Sequence, residues 1–274
     1  MNSMKIILLI SIICLSFHVD AQIKNKNAKV PSYFGLRVCP VFPTQFIGEK
    51  SLSLTQGADE TVKINTSITQ KIGYSFGGVV RAGLTKVVAL ETGLNFTQRS
   101  FDLTMDLPDS SLSGTNDFKF IAYDIPINAL FYIKLSEKWY MNASLGLAVT
   151  FAPTHIGTAS QVSLPPINGV SLPEKRHEFY HTGLVKNKIG LDLNANVGFE
   201  FRTEKNGFFY LGGVARVPFK PLFDLYVQYD YTGTDYQSIL NGPVDGSFLS
   251  IELKYFFPNI KNKGLQFQDG PVEQ

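Results

Sequence analysis

Residues His177-Glu178-Phe179-Tyr180-His181 carry the spacing in this chain most closely tied to a reaction. On a helix, H-E-x-x-H places two imidazoles one turn apart to grip zinc and leaves the glutamate as a general base. Pro173 and Gly183 flank the motif and could begin and end such a helix. A catalytic zinc also needs a third protein ligand and an open position. Outside the leader the chain offers only His155 as a further histidine, and no zincin signature follows His181. The expectation is therefore no metal and no cofactor, with His155, His177 and His181 as the candidates if a metal site exists. His155 with Ser160 or Ser163 is the other possible pairing, of the kind a lipid hydrolase or acyltransferase would need. Serines are common in loops, so that pairing is not distinctive, and the chain is read as a non-enzyme.

A second group of chemistry-bearing residues is defined by period rather than by motif. Arg37, Arg81, Arg216 and Lys254 occupy one parity of segments whose other parity is apolar, and so do Glu91, Asp124, Asp192, Glu200 and Glu252. Such alternation marks a strand with two unlike faces. If the charged faces point into a narrow barrel, the groups nearly cancel and pair with one another. Left unpaired, each would cost several kcal/mol. A neutralised plug is the expectation, and a proton or ion path the rival.

The segments that must position these residues recur along the chain. The expected strands are 33–42, 71–83, 86–98, 118–133, 139–151, 188–202, 208–219 and 247–257. The sixth shows the pattern most cleanly: Ile189, Leu191, Leu193, Val197, Phe199 and Phe201 alternate with Gly190, Asp192, Asn194, Asn196, Gly198 and Glu200. Pro126 interrupts the fourth, and because proline donates no ladder hydrogen bond, a bulge or a missing bond is expected there. Short connections at Leu84-Thr85, Leu135–Lys138 and Thr203–Asn206 alternate with long polar ones at 43–70, 99–117, 152–187 and about 221–246. Bacterial outer-membrane barrels have this even strand number and this alternation of short periplasmic turns with long outer loops. The fold class expected is an eight-stranded antiparallel up-and-down transmembrane β-barrel. Its interior would be just wide enough for its own side chains. A soluble two-sheet sandwich is the competing architecture, but it would bury the apolar faces and expose the charged ones.

Aromatics are expected at the headgroup levels. Tyr33, Phe34, Trp139, Tyr140, Phe208, Tyr255, Phe256 and Phe257 would mark the periplasmic strand ends, and Phe42, Tyr74, Phe96, Phe151 and Phe223 the outer ones. Residues 1–21 read as a cleaved signal peptide, with Lys5, the apolar run Ile6–Phe17 and Val19-Asp20-Ala21 before the cut. Residues 22–31 read as a periplasmic lead-in, 32–257 as the barrel and 258–274 as a flexible periplasmic tail. Cys14 falls in the leader, so Cys39 has no partner for an internal disulfide. A formal net charge of +2 over 274 residues gives no reason to expect nucleic acid.

Three stretches resemble the PorT-type outer-membrane barrel proteins: Tyr123-Asp124-Ile125-Pro126-Ile127-Asn128, the late strand with Asp192, Gly198 and Glu200, and the closing Leu249-Ser250-Ile251-Glu252-Leu253-Lys254-Tyr255-Phe256-Phe257. The resemblance covers roughly Tyr33 to Phe257. It implies an eight-stranded domain in the cell outer membrane, placed there by the outer-membrane assembly machinery, and a link to secretion or to the envelope. The expected role is a structural or binding scaffold that works through its outer loops or its periplasmic face. The alternative is an outer-membrane enzyme or metal-binding protein using the loop histidines.

Overall fold

The computed structural model describes residues 32–43, 51–55, 64–85, 87–107, 112–153, 156–163, 176–203, 206–231 and 237–258. The proposed leader, the lead-in, His155 and the tail beyond Pro258 lie outside them. The described secondary structure is entirely strand: β1 (Ser32–Pro43), β2 (Ser51–Thr55), β3 (Asn65–Gly83), β4 (Val88–Leu107), β5 (Leu112–Lys134), β6 (Trp139–Phe151), β7 (Ile156–Ser163), β8 (Arg176–Leu184), β9 (Ile189–Arg202), β10 (Phe208–Pro218), β11 (Phe223–Tyr231), β12 (Gln237–Val244) and β13 (Phe248–Phe256).

Every pairing is antiparallel, and two groups of strands result. In the first, β1-β3-β4-β5-β6-β9-β10-β13 follow one another, and β1 pairs with both β3 and β13, so the ladder returns to its start. β2 extends the edge of β3, with Ser51 opposite Thr69. In the second group, β12-β11-β8-β7 form a four-stranded sheet. The short connections close on themselves by backbone bonds. The Leu135 N–H donates to Trp139 O at 3.0 Å, and the Thr203 N–H to Gly207 O at 3.0 Å. Gly207 turns that corner with φ 75°, where any other residue would be strained.

Proline leaves its mark at Pro126 without a bulge. β4 and β5 pair at Thr92↔Ile127 and again at Asn95↔Asp124 in unchanged register, and the pairs between are missing. The register does shift in β3, between Lys71 and Tyr74.

Among the described residues the long connections are largely strand rather than loop, and this corrects the sequence reading. Strand structure continues through much of 43–70 and 99–117, and β7, β8, β11 and β12 occupy parts of 152–187 and 221–246. The reason lies in β4. Its inward residues Glu91, Asn95, Thr97 and Arg99 are polar, and the next residues of the same face, Phe101, Leu103 and Met105, are apolar and buried. On its other face Leu90 and Leu94 stand exposed, followed by Ser100, Asp102, Thr104 and Asp106. β5 inverts the same way, from the outer pair Asp117 and Lys119 to the exposed Tyr123, Ile125 and Ile127. The period of two persists while the chemistry of the faces exchanges. Past the exchange, the extended ends of β3, β4 and β5 and the second sheet share one apolar core that includes Ile68, Phe101, Phe118, Phe179, Phe223 and Val227. Two regions of opposite polarity are thus built from the same continuous strands.

Candidate functional site

The interior of the eight-strand ring gathers all nine of the alternating charged residues, and each is buried. Sequence reading missed two more: Arg99 and Arg202 are also buried there. Both were within reach of the parity rule. Arg202 continues the even positions of β9 beyond Glu200, and Arg99 continues the odd positions of β4 beyond Thr97.

The charges are ordered. One chain of contacts alternates in sign from end to end. Arg37 Nε meets Glu252 Oε2 at 2.7 Å, Glu252 Oε1 meets Lys254 Nζ at 2.8 Å, and Lys254 Nζ meets Glu91 Oε1 at 2.6 Å. Glu91 Oε2 then meets Arg81 Nη2 at 2.6 Å, Arg81 Nη1 pairs with Glu200 Oε1, and Glu200 Oε2 meets Arg202 Nη2 at 3.1 Å. The Asn142 side-chain amide donates to Glu200 Oε1 at 2.7 Å. A separate cluster has Arg216 between Asp124, at 2.8 Å, and Asp192, at 2.7 Å. Asn95 and Thr97 donate to the two oxygens of Asp124 at 3.1 and 2.8 Å. Charge-assisted bonds of this kind are about twice as strong as neutral ones. Among the buried charges, Arg99 alone has no carboxylate partner in the described residues. It donates to the Gly246 carbonyl and lies over the Phe248 ring at 5.1 Å.

Aromatic rings form the floor of this plug, which corrects part of the expected belt. Tyr33, Tyr140, Phe208 and Phe256 are buried inside the ring rather than displayed around it. The Arg81 guanidinium stands 4.2 Å from the Phe256 centroid, and that of Arg202 stands 4.0 Å from Tyr140. Cation–π contact of this kind strengthens when water is excluded. Phe34, Trp139, Tyr255 and Phe257 remain on the outer surface at that end, where Trp139 packs on Phe201 at 5.0 Å. At the other end Phe42, Tyr74 and Phe151 are exposed, while Phe223 is buried in the apolar core. Among the interior polar groups the structure leaves a void of about 20 Å³. That is room for a single water.

The H-E-x-x-H motif does not form a helix. Residues 177–181 lie in β8, where His177 is opposite Tyr231 and His181 opposite Val227. Four residues along a strand separate the two backbones by about 13 Å. The helix that the motif requires would hold them only about 6 Å apart. Phe179 and His181 alternate inward with Tyr180 exposed, so the local period is two and the helix reading fails. His181 is 1 % exposed and packs on Phe118 with ring centroids 5.1 Å apart. Neither of its ring nitrogens has a hydrogen-bond partner among the described residues. Burial lowers its pKa from 6.5 to about 4, so the ring is neutral at pH 7. Ser160 and Ser163 lie on β7. No group of three or more potential metal ligands occurs among the described residues. Protein purified without chelator is expected to carry no stoichiometric zinc, and His177→Ala to leave its metal content unchanged. Elemental analysis showing one zinc per chain, lost in that variant, would restore the metal reading.

No family model matches the chain and no curated protein does. Among solved structures it is similar to the β domain of the Bordetella autotransporter BrkA, at 11 % identity and a TM-score of 0.26, covering 84 % of this chain and 99 % of that one.

Proposed function

We propose that this chain is a non-enzymatic outer-membrane protein whose eight-strand ring is a closed transmembrane β-barrel with a sealed interior. Its four-stranded second sheet, packed on the strand extensions, forms an outer head for binding. The observation that carries this reading is the exchange of faces along β4 and β5. An apolar exterior around a polar interior suits lipid, and an apolar core under a polar surface suits water. One strand that does both in succession crosses from one solvent to the other. The exposed side chains of the ring support the same reading: Leu36, Phe76, Leu94, Ile127, Leu145, Phe199, Leu211 and Ile251 come from eight different strands and all face outward. Soluble proteins rarely leave so continuous an apolar surface uncovered. The short turns then belong to the periplasmic side and the head to the outside.

The small interior void and the sign-alternating chain of ion pairs argue against solute passage. The resemblance to PorT-type proteins narrows the proposal to a scaffold beside an envelope or secretion machinery, which cross-linking in cells would detect. The architecture is tested by outer-membrane fractionation with heat-dependent gel mobility. The expected result is recovery with the outer membrane and a mobility shift on boiling, and a water-soluble protein without a shift would overturn it. In planar bilayers the purified protein is expected to show no stable conductance, whereas porin-like openings would refute the sealed interior.

A further inference from the structure

A cleft of about 190 Å³ opens between the β8–β9 connection and the β10–β11 connection, at the level where the outer surface changes from apolar to polar. Three lysines line it: Lys186, Lys188 and Lys220. Two carboxylates also line it, and both are already engaged. Asp224 is paired with Lys186, and Asp192 is held by Arg216 at 2.7 Å inside the ring. Lys188 and Lys220 are exposed and have no ion pair among the described residues. The cleft therefore presents two uncompensated cations.

Its walls are fixed by the backbone. The Ala152 N–H donates to Lys188 O at 2.8 Å, the Phe219 N–H to Leu191 O at 3.0 Å, and the Leu222 N–H to Val244 O at 2.8 Å. Both lysine-bearing connections are thus tied to neighbouring strands before any ligand arrives, which lowers the ordering cost of binding. Directly along the strands from the cations, Ile189 is 68 % exposed and Phe219 58 %, and Leu191 is exposed beside them.

We propose that this cleft binds the phosphorylated headgroup of an outer-leaflet glycolipid, with Lys188 and Lys220 on the phosphate and Ile189, Leu191 and Phe219 along the acyl chains. The assignment rests on the transmembrane reading above. Cations alone would accept any small anion; cations set above an exposed apolar wall suit an anionic amphiphile. Basic residues near a membrane surface each contribute about 1 kcal/mol toward an anionic lipid, roughly fivefold in affinity.

The test uses the detergent-purified, delipidated full chain. Bis-phosphorylated lipid A, the same lipid with both phosphates removed, and inorganic phosphate are titrated separately, and bound lipid is counted by native mass spectrometry. The expected result is about 30-fold weaker binding of bis-phosphorylated lipid A to the Lys188→Gln/Lys220→Gln protein. Binding of the dephosphorylated lipid to the unmodified chain should fall by a similar factor, and Lys188→Arg/Lys220→Arg should bind nearly as the unmodified chain does. Equal binding of the two lipids, or an unchanged glutamine variant, would overturn the site. Displacement of the lipid by low-millimolar phosphate would reassign it to small anions and equally overturn the proposal. Gel mobility of the same samples separates the two readings. A chain without a heat-dependent shift loses both the barrel and the site, whereas a heat-modifiable chain indifferent to lipid phosphate loses only the site.

Discussion

Replacing Glu200 by leucine is expected to lower the unfolding free energy by about 3–5 kcal/mol, the usual cost of stripping one partner from a buried ion pair. Glu200 is fully buried and sits between two cations, Arg81 and Arg202, whose other surroundings are largely aromatic rings. Its loss leaves Arg202 with no carboxylate among the described residues and Arg81 with Glu91 alone. A buried cation cannot recover its hydration, so the cost is set by desolvation more than by the attraction that was lost. The exposed pair Lys71–Asp102 provides the contrast. Its contact is as short, at 2.5 Å, but the Lys71 side chain is 56 % exposed. Lys71→Ala should therefore change stability by less than about 1 kcal/mol. Both variants can be followed by urea titration in detergent, reading the folded fraction by gel mobility and the fluorescence of Trp139, the sole tryptophan. An interior filled with water would hydrate the orphaned arginines, and Glu200→Leu would then cost no more than Lys71→Ala. That outcome would replace the plug with a wet lumen.

The same residues show what parity could and could not convey. Arg37, Glu91, Asp192, Glu252 and their fellows were legible because each stands in a segment where one parity is apolar, and period two survives any rearrangement of neighbours. The partners were not legible. Nothing local says that Lys254 reaches Glu91, or that Arg216 serves Asp124, because those contacts depend on register across the ring. The strand extensions and the second sheet were misread for a different physical reason. Phe101, Leu103 and Met105 alternate as regularly as any barrel segment, but on the parity occupied by Glu91 and Thr97. A rule that requires apolar residues on one constant face reads that exchange as the end of the strand. The polarity of the two faces had exchanged, not the secondary structure. H-E-x-x-H raised the possibility of a short helix, and the inward alternation of Phe179 and His181 replaces it with a strand. The buried Tyr33, Tyr140, Phe208 and Phe256 were placed at the correct strand ends but on the wrong side. Within their own strands they share the parity of Arg37, Asn142, Arg216 and Glu252, and that outweighed the general preference of aromatics for the headgroup level.

His181 gives the region around the second sheet a marked expected dependence on pH. Unfolded, its imidazole takes up a proton near pH 6.5; folded, burial holds the ring neutral until about pH 4. Between these values the unfolded state binds more protons, so stability must rise with pH across that window. The contribution of the neutral buried ring is complete above about pH 6.5 and is lost as pH falls toward 4. The full span amounts to about 3 kcal/mol, and less where local opening wets the ring first. Among the described residues no charged neighbour offsets it, because burial is the cause of the lowered pKa and both ring nitrogens lack partners there. Hydrogen exchange at the amides of β8 and β11 is the suitable probe, since it reads the head without requiring the ring to unfold. Protection there is expected to fall between pH 6.5 and 4 after correction for intrinsic exchange. In His181→Leu, which places an aliphatic side chain among Phe118, Phe179 and the rest of the apolar core, that loss should vanish and stability at pH 7 should be equal or higher. A leucine variant that loses protection at pH 7 would mean that the imidazole makes a hydrogen bond the core depends on, and the argument from an unpartnered neutral ring would fail.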